Sequence, residues 1–199
     1  MTGVAMSRIT RESLMTLEAY HKARPEFRRK VIAHKKRRTV PLGEHVTLLF
    51  EDELTIRYQI QEMLRIEKIF EEEGIRHELE SYGPLVPDGR NLKATMLIEY
   101  EDPTVRRAAL SRLKGIEQRV WLQVEGSPKV WPIADEDLER ENDEKTSAVH
   151  FLRWELTEEM AAALKYGVTL SIGVEHRNYT ETLAPVSTDT RDALAADLS

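Results

Sequence analysis

The sequence predicts an α+β (mixed α/β) protein with a single mixed sheet of about five or six strands. Short apolar runs typical of strands alternate along the chain with amphipathic stretches typical of helices. One of those helices, over residues 53–73, is apolar on two sides, as expected of a helix sandwiched between other elements. We therefore expect this one long helix to pack on the sheet and the N-terminal helices to cover its outer side.

Composition restricts both the location and the chemistry of the protein. The 199 residues suit one domain with an appendage, and we divide them into an N-terminal helical arm, residues 1–40, and a single α+β domain, residues 41–199. Cysteine is absent, which excludes disulfides, a thiolate nucleophile and an iron–sulfur cluster held by this chain. No apolar run approaches the roughly 18 residues of a membrane span, and residues 1–8 lack a secretory signal pattern. We expect a cytoplasmic protein.

The arm is predicted to contain two helices. Thr10 and Ser13 have the spacing of a helix N-terminal capping pair, so the first helix starts there. Pro25 is favoured at the first position of a helix and opens the second one, which runs to about Arg38. A proline and a glycine shortly afterwards break the helical pattern.

The second helix of the arm carries a concentrated positive charge. Residues 22–38 contain nine basic side chains and one acidic one, so they hold +8 of a chain whose total is −6, and the other residues carry −14. Phe27, Val31 and His34 share one helical face, which we expect to pack on the body while the charges point outward. The predicted interaction residues are Arg28, Arg29, Lys35 and Lys36.

The first half of the domain is predicted as strand, helix, strand. Residues 45–50 form a short, mostly apolar run typical of a buried strand. The long helix over residues 53–73 stops at Gly74, a typical residue after a helix end, and residues 75–82 form a shorter helix. Residues 92–100 form the next strand, and a crossover on one face of the sheet joins it to the first.

The second half of the domain supplies an antiparallel part of the sheet. Residues 116–134 have the pattern of a hairpin with Gly126 in its short loop. Residues 147–156 are apolar on both faces, which predicts an interior strand with four buried side chains, Val149, Phe151, Leu152 and Trp154. The remaining elements are a strand over 168–175 and helices over 103–113, 158–166 and, weakly, 188–199.

Glu67 is the polar residue of the long helix that most needs a partner. It falls on the same helical side as Ile60 and Phe70, so we expect it to be shielded from water. A shielded carboxylate needs a cation. That cation is an arginine (Arg106, Arg153 or one of the arm) or a metal ion.

Three histidines are the other candidate metal ligands. His45, His150 and His176 each lie within or at the end of a predicted strand. If they converge with Glu67, the imidazole and carboxylate groups would select iron, zinc or manganese. His150 also alternates with apolar residues of its strand, which fits a hydrogen-bonded histidine of the core. No other cofactor is predicted, and no catalytic residue is identified.

Four separated blocks of the sequence carry a family pattern. They are RRTVPLGEHVTLLFE (37–51), RYQIQEMLRIEKIFEEEGI (57–75), PDGRNLKATMLIEYED (87–102) and KTSAVHFLRWEL (145–156). Together they resemble a bacterial family known only as a domain of unknown function (number 3501). The resemblance implies a redox or oxidative-stress setting, beside rubrerythrin-like proteins and iron–sulfur oxidoreductases, but it brings no established activity or catalytic residues.

Three functions are compatible with these observations. The leading hypothesis is a non-catalytic cytoplasmic accessory protein that works with an iron–sulfur oxidoreductase and a rubrerythrin-like partner. The first alternative is a metal-dependent enzyme or iron-binding protein that uses Glu67 and the three histidines. The second alternative is an anion or nucleic-acid binder that acts through residues 22–38.

Overall fold

The computed structural model describes residues 9–199, and six α-helices and eight β-strands lie within them. The helices are α1 (Leu17–Lys35), α2 (Glu53–Glu67), α3 (Glu72–Tyr82), α4 (Pro103–Arg112), α5 (Glu158–Lys165) and α6 (Thr188–Ala195). The strands are β1 (Thr39–Leu42), β2 (Val46–Phe50), β3 (Asn91–Ile98), β4 (Val120–Val124), β5 (Ile133–Ala134), β6 (Val149–Glu155), β7 (Leu170–His176) and β8 (Tyr179–Leu183). The α+β class is confirmed. The predicted lack of a signal in residues 1–8 lies outside the described residues.

The strands form two antiparallel sheets, so the prediction of a single mixed sheet is wrong. Five strands follow the order β1-β2-β3-β6-β5, and three follow the order β4-β7-β8. The predicted crossover is also wrong, because β2 and β3 are antiparallel neighbours, with Val46 opposite Ile98 and Phe50 opposite Ala94. The helices between them leave and rejoin the sheet at the same end, which an antiparallel pair allows.

The main core contains residues from both sheets. Trp154 of β6 is fully buried, and its indole Nε1–H donates to the Val120 carbonyl oxygen of the other sheet at 3.0 Å. Helices α4, α5 and α6 close this core with Leu110, Leu164 and Leu194. The alternating residues of β3 that face it are Leu92, Ala94, Met96 and Ile98.

Strand β6 lies inside the five-stranded sheet, between β3 and β5, as predicted. Leu152 and Trp154 are buried, but Val149 is 36% exposed and Phe151 is only partly buried. The prediction of burial is therefore wrong for Val149 and Phe151. Their side chains alternate with the buried ones and occupy the face of the sheet that is turned away from the main core.

The predicted single helix over residues 53–73 is two helices. Helix α2 ends at Glu67, where Lys68 takes the left-handed conformation with φ 56°. Helix α3 begins at Glu72, so Gly74 lies inside a helix instead of ending one. The main neighbours of α2 are α1 and α3, and its buried apolar residues belong to a core that contains no strand residue, so the prediction that it packs on the sheet is wrong.

A second, smaller core joins the N-terminal segment to α2 and α3. Thr10 and Ser13 interact as predicted, with Thr10 N–H donating to Ser13 Oγ at 3.1 Å, but they cap only a 3-10 turn, Arg11–Ser13. This turn and the start of α1 cover α2, as expected of the arm. The buried members of the core are Ile9, Leu14, Ile56, Ile60, Leu64 and Ile75.

Helix α1 is continuous, so the predicted boundary at Pro25 is wrong. The helix begins after Thr16, whose hydroxyl accepts a hydrogen bond from Ala19 N–H at 3.2 Å. Pro25 lies inside it and removes one backbone hydrogen bond. Tyr20 and Phe27, on either side of Pro25, form an edge-to-face pair with centroids 6.1 Å apart, so the same helical face is packed on both sides of the proline.

Two more elements differ from their predictions. The hairpin over residues 116–134 is reduced to one bridge, Leu122 to Val130, because β4 pairs with β7 while β5 joins the other sheet. The C-terminal helix α6 is well packed, with Leu194 fully buried and Leu198 buried after its end. Tertiary packing therefore stabilises a segment whose sequence predicts only a weak helix.

Candidate interaction site

The inner face of α1 packs on the body as predicted. Val31 is buried, and the Phe27 ring meets the Tyr58 ring of α2 with centroids 5.9 Å apart. His34 Nε2 lies 2.5 Å from Asp52 Oδ2, at the N-cap of α2. Burial opposes ionisation of Asp52, but Arg38, the Thr55 N–H and His34 outweigh it and lower the pKa of this carboxyl.

Glu62, and not Glu67, is the carboxylate of α2 that is shielded from water and paired with an arginine of the arm. Arg24 of α1 donates to both oxygens of Glu62, at 2.7 and 2.9 Å, and the Tyr20 hydroxyl donates at 2.7 Å. Hydrogen bonds from Arg24, then from Arg65 and Tyr20, outweigh burial and hold the pKa of Glu62 at about 2. The predicted environment of Glu67 is wrong, because this residue is exposed at the last position of α2.

Arg38 is a buried contact that the sequence reasoning missed. It is 2% exposed, and its guanidinium donates to the carbonyl oxygens of Phe50 (3.0 Å), Glu51 (3.1 Å) and Ala193 (3.0 Å). It also pairs with the Asp197 carboxylate. Burial raises the pKa of Asp197 to about 6 in spite of Arg38. Arg38 therefore holds the end of the arm against the C-terminal segment and is not part of an outer charged surface.

The outer face of α1 keeps a set of basic side chains without ion pairs. Arg28, Arg29 and Lys36 are exposed, and none of them has an ion pair with another described residue. Lys35 is half-buried, with Nζ 5.7 Å from the centroid of the Tyr58 ring. Ile32, 43% exposed, lies on the outer side of the helix. We use the term basic face of α1 for five exposed residues, three on the helix and two directly after its end: Arg28, Arg29, Lys30, Lys36 and Arg37.

The three histidines do not come together. The His45 ring stacks on Tyr100 with centroids 3.8 Å apart, before β2. His176 Nε2 lies 3.0 Å from the Lys114 carbonyl oxygen, at the end of β7 in the other sheet. Across residues 9–199 no three His, Asp or Glu side chains form a group that would hold a metal ion. The condition for a metal site, convergence of these histidines with Glu67, is therefore not met among the described residues.

His150 is the core histidine of the alternative prediction. It is fully buried, its Nδ1 lies 2.6 Å from Asp135 Oδ2, and its Nε2 lies 3.1 Å from Thr146 Oγ1. This order of groups resembles a catalytic triad, but Thr146 is also buried, so no substrate has access to the hydroxyl. Asp135, whose φ is 51°, also accepts a hydrogen bond from the Phe151 N–H at 2.9 Å. The Asp135 carboxylate therefore holds the backbone and His150 in place, which is a structural role.

Glu117 is a further buried carboxyl near His150. Burial raises its pKa, and the charges of Glu141 and Asp135 add to the effect. Its Oε2 has no hydrogen-bond partner among the described residues. A raised pKa favours the neutral form of the carboxyl, which costs less free energy to bury than the charged form.

No helix within residues 9–199 has both the length and the apolar character needed to cross a membrane. Comparison with curated proteins finds no match. A crystal structure of a protein of unknown function from Burkholderia pseudomallei K96243 is 60% identical to this chain, with a TM-score of 0.93, and the match covers 98% of this chain and 100% of that one. The profile of the family described as "Protein of unknown function (DUF3501)" matches residues 8–198. The chain therefore belongs to this family, in agreement with the resemblance of its four sequence blocks.

Proposed function

We propose that this protein is a non-catalytic accessory protein that binds an acidic protein partner through the basic face of α1. One observation carries the proposal: five basic side chains are exposed along the outer side of α1 and the turn that follows it, while the other side of α1 is fixed to the body. A basic surface on a chain with a total charge of −6 steers a negatively charged partner to one place.

The arrangement of α1 favours a protein partner over a nucleic acid. Phe27 is the one Phe, Tyr or Trp in residues 22–38, and its ring is used against Tyr20 and Tyr58. No aromatic ring of this segment is therefore free to stack on a base. The remaining −14 of charge repels the phosphates of a long nucleic acid.

The proposed partner is an iron–sulfur oxidoreductase or a rubrerythrin-like protein in the cytoplasm. The family resemblance supports a redox setting, and the absence of cysteine means that any iron–sulfur cluster belongs to the partner. The accessory protein would supply docking and orientation, and the partner would supply the redox chemistry.

A titration with the two candidate partners from the same organism tests the proposal. The labelled full chain is mixed with each purified protein, and binding is followed by fluorescence anisotropy at increasing salt. We expect micromolar binding to one of them that weakens as salt screens the charges. The triple variant Arg28→Gln, Arg29→Gln, Lys36→Gln should bind more weakly, with a dissociation constant raised by up to about tenfold. The effect is modest because each charge at an interface rim contributes little.

A matched variant controls for the change in net charge. Arg106, Arg112 and Lys165 are exposed basic residues outside α1, and replacing all three with Gln removes the same charge. This variant should bind like the parent. Equal weakening in both variants, or no binding to either candidate, would refute the docking role of α1.

A further inference from the structure

Two large apolar side chains are exposed on either side of the turn that ends α2. Ile66 is 60% exposed and Phe70 is 72% exposed. The turn between them is fixed, because Lys68 is left-handed with φ 56° and Ile69 packs against the second core. The outward position of Phe70 is therefore built into the fold. Large apolar side chains that a fold holds in water close to one another often mark an interaction surface.

Three acidic side chains without ion pairs neighbour these two residues in the chain. Glu67, Glu71 and Glu73 are exposed, and none of them pairs with a cation among residues 9–199, whereas Glu72 is bound to Arg11. Acids at the start of α3 also complement its helix dipole, so the charges alone do not indicate an interaction, but the exposed apolar residues between them do. We define the apolar–acidic patch as Ile66, Glu67, Phe70, Glu71 and Glu73.

The basic face of α1 has the complementary composition. None of its five side chains has an ion pair with another described residue, and Ile32, which is 43% exposed, lies among them. Both surfaces therefore combine exposed apolar groups with free charges, and the charges are of opposite sign. Opposite charges around apolar contacts orient two docking surfaces and reject wrong partners. One chain carries both halves of such a pair.

The two surfaces lie towards opposite ends of the same helix pair. Helices α1 and α2 are antiparallel, since Arg24 contacts Glu62 near one end and His34 contacts the N-cap of α2 at the other. Ile66 is one turn beyond Glu62, and Ile32 is about two turns beyond Arg24 in the opposite direction, which places them roughly 18 Å apart along the helix axes. A standard interface of about 800 Å² on each copy is roughly 30 Å across, so one interface can include both surfaces.

We propose that two copies of this chain form a symmetric dimer in which the basic face of each copy docks on the apolar–acidic patch of the other. In a two-fold dimer every contact occurs twice, because a surface of the first copy meets a surface of the second and the reverse contact follows by symmetry. A two-fold axis midway between the two surfaces brings each basic face onto an opposite patch. The arrangement is closed, so no third copy is added.

The dimer deepens the proposed function and rests on it in one respect, since it regulates access to the surface that docks the acidic partner. A second copy covers the basic face, so the dimer and the acidic partner compete for it by mass action. In the anisotropy titration described above, Phe70→Ser should bind a candidate partner more tightly than the parent does, because less of the variant is dimeric. Equal affinities at a concentration where the parent is dimeric would overturn this regulation.

Sedimentation velocity of the full chain over a range of protein concentrations tests the dimer itself. At low salt the parent should pass from monomer to dimer in the micromolar range, and added salt should dissociate the dimer. Phe70→Ser should raise the dissociation constant by at least about tenfold, as truncation of an apolar anchor does. Leu138→Ser, at a site that is 56% exposed elsewhere, should leave it unchanged. A parent that stays monomeric at low salt, or equal constants for these two variants, would overturn the inference.

Charge reversal identifies the two surfaces. Glu67→Lys with Glu71→Lys, and separately Arg28→Glu with Arg29→Glu, should each give a monomer, because like charges then face each other across both contacts. An equal mixture of the two double variants should restore the dimer. In the mixed dimer one contact has its native charges, and the other has both of its charges reversed.

The mixture also shows that both double variants are folded, since neither could dimerise otherwise. Glu139→Lys with Asp143→Lys makes the same change in net charge at exposed sites outside the patch and should dimerise like the parent. A mixture that stays monomeric, or a dimer that is lost equally in this control, would refute the assigned contacts. None of these measurements uses the acidic partner. A dimer with these properties therefore stands even if neither candidate partner binds, and a strictly monomeric chain that binds a candidate keeps the proposed function and overturns the dimer.

Discussion

Arg24 of α1 and Glu62 of α2 form a two-point ion pair, with Nε 2.7 Å from Oε1 and Nη2 2.9 Å from Oε2. The pair links the arm to α2 near the C-terminal end of α2, while His34 and Asp52 make the corresponding link at its N-terminal end. The helices are therefore antiparallel, and charged contacts fix both ends of their interface. Bidentate arginine–carboxylate pairs of this kind give orientation as well as energy.

The Arg24–Glu62 ion pair makes the free energy of unfolding fall as the pH is lowered in the acid range. Since the pKa of Glu62 is about 2, below its ordinary value of 4.5, its contribution is complete above pH 4.5 and is lost as the pH falls towards 2. Glu62→Gln should lower the free energy of unfolding at pH 7 by about 1–2 kcal/mol. Urea unfolding at several pH values should show the difference from the parent shrinking below pH 4.5. Glu73→Gln, at an exposed position, should leave the curve unchanged.

Asp197 should give the opposite pH dependence. Its pKa of about 6 exceeds the ordinary 3.8, so the folded state binds the proton more readily than the unfolded state does. Relative to Asp197→Asn, the parent should therefore gain about 2–3 kcal/mol of stability as the pH falls from 7 to 4. Denaturant unfolding across that range measures the change. A constant difference between the two proteins, like that expected for the exposed-site control Asp143→Asn, would contradict the assignment.

Trp154 should be among the most sensitive positions of the main core. It is fully buried and connects the two sheets through the Val120 carbonyl oxygen, so Trp154→Ala leaves a large cavity. We expect a loss of about 3–5 kcal/mol in the free energy of unfolding. Trp131, 39% exposed, provides the matched control, and Trp131→Ala should change stability by about 1 kcal/mol or less. Equal melting temperatures for Trp154→Ala and the parent would show that this ring is not part of a packed core.

Binding to generic DNA or RNA should be weak at physiological salt. The aromatic ring of the basic segment is packed inside, and the rest of the chain is strongly acidic. Anisotropy titration with duplex and single-stranded oligonucleotides checks this expectation. A submicromolar affinity that disappears in the variant Arg28→Gln, Arg29→Gln, Lys36→Gln would promote the nucleic-acid hypothesis over the accessory role.

The sequence locates most elements but not the partners of the strands. Residues 45–50, 92–100 and 147–156 are strands β2, β3 and β6 to within a few residues, because their apolar runs report burial directly. The same runs carry no information on strand direction, and that is why two antiparallel sheets replace the single mixed one. Pairing depends on contacts between residues far apart in the chain.

The error at Glu67 has a local cause. Its expected position on the buried side assumes that the helical rotation of 100° per residue continues to Phe70. Lys68 instead turns left-handed, the helix ends, and Phe70 becomes 72% exposed. The correct carboxylate, Glu62, is recognised only when α1 is placed against α2, since its main partner is Arg24 of the arm.

The contact between Arg38 and Asp197 joins residues separated by 159 positions, so it has a consequence for folding. Closing so long a loop is entropically costly, and contacts of this kind form late in folding. Arg38 can bind the Phe50 and Glu51 carbonyl oxygens early, but its contacts with Ala193 and Asp197 wait until the C-terminal segment is in place. The contacts of Phe27 with Tyr58 and of Arg24 with Glu62 join much nearer parts of the chain, so α1 can pack on α2 before the Arg38–Asp197 contact closes.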